Sequence, residues 1–163
     1  MPRTTPPRAP FLAGLLVVAA LVAPDPAPAR AGPSGPAGQE GPPTDTVVVV
    51  VSSRSPVTSI SRLHLADLYL GRASRFDDGR PAAPIDLEPG TPAREAFYQR
   101  YLQRSPAEIE AHWARLVFTG RGRPPPDVES GREMRERVAA DPRAVGYLDR
   151  SLVDASVRVV KIR

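Results

Sequence analysis

Apolar and polar positions along this chain change their rhythm at about residue 45. Before it lies one unbroken apolar block, residues 11–22 (FLAGLLVVAALV), followed by a stretch almost without bulky apolar side chains. After it the pattern breaks into short periodic segments. Residues 46–52 (TVVVVVS) are a β-branched run between polar residues, which predicts a strand buried on both faces. Leu63, Ala66, Leu68 and Leu70 then recur at helical spacing behind Ser61, a capping residue, and Gly71 supplies a left-handed stop. Residues 74–76 and 83–87 flank Asp77-Asp78-Gly79-Arg80, a hairpin-like turn. Three helices are predicted next: one opened by Thr91 with Pro92 at its first position, and two opened by the capping boxes Ser105-Pro106-Ala107-Glu108 and Ser130-Gly131-Arg132-Glu133. Residues 144–148 and 157–162 read as closing strands. The order β-α-β-β-α-α-α-β-β, without internal repeats, predicts an α/β domain.

Composition divides the chain into three. Arg3 and Arg8 precede the apolar block, which is short for a membrane span, and Ala27-Pro28-Ala29 and Ala29-Arg30-Ala31 offer small-residue cleavage sites. Residues 1–31 are therefore expected to be a signal peptide, and the protein to be periplasmic or secreted. Residues 32–45, rich in Gly and Pro, cannot bury enough surface to offset the entropy of ordering and are expected to form a disordered linker. Residues 46–163 suffice for one domain with its own core. There is no cysteine, which excludes disulfides, thiolate metal sites and lipid attachment through a cysteine. The net charge of +4 is carried by arginine, Lys161 being the only lysine. Arginines alternate with acids, as in Arg132-Glu133-Met134-Arg135-Glu136-Arg137, so a solvated helix face explains the charge better than nucleic-acid binding.

The densest candidate chemistry lies in residues 85–98 (IDLEPGTPAREAFY). A strand passing through Pro89-Gly90 into a helix at Thr91 exposes backbone N–H groups and a positive dipole end, a seat for an anion. Pro92 has no N–H, which leaves those of Thr91, Ala93 and Arg94; the Thr91 hydroxyl can cap the helix or meet a ligand, and the Arg94 side chain can pair with Glu88. Ser52 and Ser53, at the carboxyl end of the first strand, stand where open α/β sheets bind ligands, and they are expected to converge with Gly90-Thr91. Thr119-Gly120-Arg121-Gly122-Arg123 reads either as an anion-binding backbone nest or as a helix stop closed by Gly120. Pro124-Pro125-Pro126 is a stiff connector or a docking strip. The two histidines, His64 and His112, sit in helical segments without a second imidazole or a nucleophile nearby, so neither a metal, a cofactor nor an enzymatic activity is expected. The candidate ligand residues are Ser52, Ser53, Gly90, Thr91, Arg94 and Arg121.

These segments carry a resemblance. Residues 59–71, then Arg75-Phe76-Asp77-Asp78-Gly79, Pro84-Ile85-Asp86-Leu87, Gly90-Thr91 and Phe97, and later Phe118-Thr119-Gly120-Arg121-Gly122 and residues 141–148 (DPRAVGYL), resemble in order the phosphate-binding proteins of bacterial ABC importers, above all their small single-domain members. Pro89 stands where that family's anion loop has a serine, and Ile85 and Asp86, with Glu88 following, lie in the region where it has an arginine. The resemblance implies a type 2 periplasmic-binding-protein fold, reduced in size, with a mixed sheet flanked by helices. It also implies an exported solute-binding protein for phosphate or another small oxyanion, working with ABC importer membrane subunits. The alternative is a ligand-free protein-interaction or sensory module on the same fold, with an envelope protein as its partner.

Overall fold

In the computed structural model, which describes residues 46–163, the valine run forms β1 (Val47–Ser52), buried along its whole length. The expected signal peptide and linker lie outside the described residues. β2 (Ser59–Ile60) leads into α1 (Arg62–Tyr69), which Ser61 caps by accepting the His64 N–H. β3 (Ala83–Pro84) and β4 (Asp86–Leu87) follow, and α2 (Pro92–Phe97) runs directly into a π-helical turn, Tyr98–Leu102. The remaining elements are α3 (Pro106–Phe118), β5 (Asp127–Val128), α4 (Gly131–Ala140), β6 (Ala144–Asp149), a 3₁₀ turn (Arg150–Leu152), β7 (Val157–Val159) and β8 (Lys161–Ile162).

The main sheet has the order β3-β6-β1-β7 and is mixed: β1 is antiparallel to both β6 and β7, while β3 and β6 are parallel. Two short parallel pairs, β2 with β8 and β4 with β5, form separate two-stranded sheets. The segments expected as single strands are each divided. Ile85 still donates to Val145, but Asp86 donates to the Pro126 carbonyl, so the chain changes partner between β3 and β4. Val160 likewise donates to Val49 and Lys161 to Thr58, which separates β7 from β8.

Alternation along β6 sorts the layers. Gly146 faces α4, where a Cβ would overlap Met134 Sδ and come within 2.8 Å of Val138 Cγ2. Glycine here lets the helix lie close on the sheet. Tyr147 points the other way and stacks on Phe97 of α2, with ring centroids 3.8 Å apart, while Tyr69 of α1 meets Phe97 at 4.7 Å. The sheet thus carries α4 on one face and α1 with α2 on the other. α3 packs against the end of α1 through Trp113, and its reciprocal capping box at Ser105 and Glu108 is formed as the letters predict. The second box is half formed: Ser130 accepts the Glu133 N–H, but the Glu133 carboxylate takes the Glu129 N–H instead of that of Ser130.

Candidate functional site

The turn at Gly90 has a φ of +83°, but most of its donors are used within the chain. The Thr91 N–H and its hydroxyl both donate to the Glu88 carbonyl, at 3.3 and 2.9 Å, so Thr91 precedes α2 without a side-chain cap. The Arg94 and Glu95 N–H groups donate to the Thr91 carbonyl. Of the three backbone donors expected here, only that of Ala93 remains. Glu88 stands exposed beside the turn.

The Arg94 side chain does not pair with Glu88. It is buried, and its Nε donates to Asp86 Oδ2 at 3.1 Å. Asp86, on an inward position of β4, also accepts the Tyr98 hydroxyl at 2.7 Å, the Tyr147 hydroxyl and the Leu87 N–H. Burial, then the Asp86 carboxylate, pushes both phenols well above the ordinary tyrosine range, so they remain donors. For Arg94, burial alone would lower the pKa, but the charge of Asp86 together with the neighbouring tyrosines outweighs it and the net shift is upward. This is a satisfied internal network, not a group presented to a ligand.

The structure does not bring Ser52 and Ser53 to Gly90. Val51 pairs with Val145, which also pairs with Pro84, so the carboxyl end of β1 lies level with β3, with β6 between them. From Pro84 the chain runs the other way for about 13 Å of strand before reaching Glu88. Ser52 is fully buried, its hydroxyl donating to the Ala139 carbonyl at the end of α4; Ser53 is exposed and donates its N–H to Ser156. Arg121 follows a helix stop: the Gly120 N–H meets the Val117 carbonyl and the Arg121 N–H that of Leu116, with Gly120 at a φ of +66°. His64 lies 3.2 Å from Asp77, and His112 is bound to the Leu70 carbonyl.

An open-sided cleft of about 640 Å³ lies at the Ser52 end of the sheet. Its walls are the edge strand β3, the Gly-Arg-Pro segment after α3, and the carboxyl end of α4; Leu68 and Trp113 supply its apolar floor. The segment is held alongside because Asp86 donates to Pro126. Arg123, Arg137 and Asp141 line the cleft and bring its charge. Asp141 is held by Arg143 through a two-pronged contact at 2.9 and 3.1 Å, which keeps its carboxyl below the usual range, and Arg137 lies 3.6 Å from Glu133. Arg123 is exposed and has no hydrogen-bond or ion-pair partner among the described residues. Sequence reading reached Arg123 only as part of a possible nest. The available signal was the three prolines, which have no N–H to donate and so are poor partners for the edge of β3.

No known family's sequence profile matches the chain, and no curated protein matches it. Solved structures do. An ABC-type phosphate transport receptor from Vibrio cholerae superposes with a TM-score of 0.57 at 21% identity, over 72% of this chain and 46% of that one. A putative phosphate ABC transporter substrate-binding protein with bound phosphate from Clostridium perfringens gives 0.55 at 20% identity, over 72% and 44%. PstS from Borrelia burgdorferi gives 0.55 at 12% identity, over 72% and 47%. The chain has the fold of these proteins, as its sequence resemblance implies, and spans less than half of their length.

Proposed function

We propose that this chain is an exported binding protein, not an enzyme, which takes an oxyanion-bearing solute in the cleft beside β3. The observation that carries the reading is Arg123, an unpaired guanidinium at the mouth of an otherwise mainly apolar cleft. Ligand sites commonly combine an apolar wall with a few polar groups that fix orientation, and a guanidinium matches the two-oxygen edge of phosphate or carboxylate. The cleft has room for an apolar body against Leu68 and Trp113 as well as for the anionic group. The fold shared with phosphate receptors makes inorganic phosphate the first anion to test, and an ABC importer the first partner. In this reading residues 1–31 are the signal peptide, 32–45 a linker and 46–163 the binding domain.

One observation favours the interaction or sensory module instead: the turn at Gly90, where the resemblance places the anion, spends most of its donors within the chain. Thermal unfolding in a panel of phosphate, sulfate, organic phosphonates and carboxylates separates the two readings. A ligand at 100 times its Kd stabilises the folded state by about 2.7 kcal/mol, which raises Tm by several degrees. A rise with one class of anion supports solute binding. No rise with any of them at millimolar concentration favours the module.

A further inference from the structure

The carboxyl end of α3 projects two apolar side chains into water. Phe118 is 93% exposed and Val117 55%, while Ile109 and Trp113 on the same helix are buried. Residues 111–126 contain Arg115, Arg121 and Arg123 and no acidic residue, in contrast to the alternating charges of α4. The side chains of Arg115 and Arg121 have no hydrogen-bond or ion-pair partner among the described residues. Three of the last four carbonyls of the helix are also satisfied. The Arg115 carbonyl accepts the Thr119 N–H and hydroxyl, that of Leu116 the Arg121 N–H, and that of Val117 the Gly120 N–H. With those three carbonyls satisfied, the end strands fewer polar groups when it meets a less polar medium.

We infer that this tip docks on the surface of an anionic phospholipid bilayer, with Phe118 at the level of the headgroups and Arg115 and Arg121 on lipid phosphates. Charge decides for an anionic surface, since residues 111–126 carry arginines and no acid, and Glu108, which shares a pocket with Arg115, is held by Arg104 and the Ser105 cap. Size decides for lipid over a protein or a second copy: a stable protein interface buries about 800 Å² on each side, far more than one phenylalanine and one valine offer. An aromatic ring with flanking arginines is also what the bilayer interface favours. The inference stands apart from anion binding in the cleft and uses none of the cleft's argument.

The test uses the full chain carrying Phe118→Trp, mixed with vesicles whose acyl chains are brominated. Wild type is the blank, because its single tryptophan, Trp113, is already buried. With vesicles containing phosphatidylglycerol at low salt, the indole introduced at position 118 is expected to shift to the blue and be quenched. With phosphatidylcholine alone it is expected to do neither. Arg115→Gln and Arg121→Gln should each weaken partitioning about 5-fold, and salt should weaken it further. Reading the signal at position 118 separates this face from any binding through the apolar residues 11–22. Unchanged emission with anionic vesicles, or sedimentation with vesicles without quenching at 118, overturns the inference. A blue shift on concentrating the protein without lipid would assign the tip to a second copy and overturn it equally.

Discussion

Asp86 and Arg94 are the pair on which the interior is most sharply poised. Removing one partner of a buried ion pair leaves the other charge uncompensated, at a cost of about 3–5 kcal/mol. Arg94→Met is therefore expected to lower stability by that order in denaturant unfolding, and Arg94→Met with Asp86→Leu to recover part of the loss. If Arg94→Met were neutral, the pair would not be an internal one. The tyrosines around Asp86 add a pH dependence. Tyr69, Tyr98 and Tyr147 all have pKa values raised above the ordinary 10.0, first by burial and then by the Asp86 charge. Unfolded tyrosines lose protons above about pH 10 while the folded ones keep theirs. The folded state then binds more protons, so stability falls as pH rises past 10 and these groups add no slope below it. Denaturant midpoints between pH 8 and 11 should show that fall, and Tyr98→Phe should lessen it. The sequence offered Arg94 and an acidic neighbour, yet not the right one. Glu88 and Asp86 lie within reach of the same helix turn, and only the end of β4 at Leu87, which leaves Asp86 buried and Glu88 exposed, decides between them.

Elements whose ends depend on contacts three or four residues apart were readable from their letters. The Ser61 cap, the Ser105-Glu108 box and the glycine stops at Gly71 and Gly120 belong to that class. The two-residue strands β2 and β5, and the breaks at Ile85 and Val160, were not, because each exists only where a distant partner lies beside it. The close seating of α4 on β6 is of the same non-local kind. Gly146→Val should drive a side chain into Met134 and Val138 and destabilise by about 1–3 kcal/mol, measured as a lowered urea midpoint. An unchanged midpoint would mean that α4 can move away from the sheet at little cost.

The cleft draws on α1, α3, the 122–126 segment, β3 and α4, and no stretch of sequence contains it. For that reason sequence reasoning favoured Gly90-Thr91, a compact run of letters, and joined it to Ser52-Ser53 at the other end of the sheet. The two ends make different predictions. Calorimetric titration of wild type, Arg123→Gln and Thr91→Val with phosphate and with the organic anion that raises Tm most compares them directly. Loss of a charged hydrogen bond is worth about 1.5–3 kcal/mol, so Arg123→Gln should weaken binding roughly 10- to 150-fold while Thr91→Val leaves it unchanged. Binding that survives Arg123→Gln and is lost in Thr91→Val would contradict the cleft and return the site to the turn at Gly90.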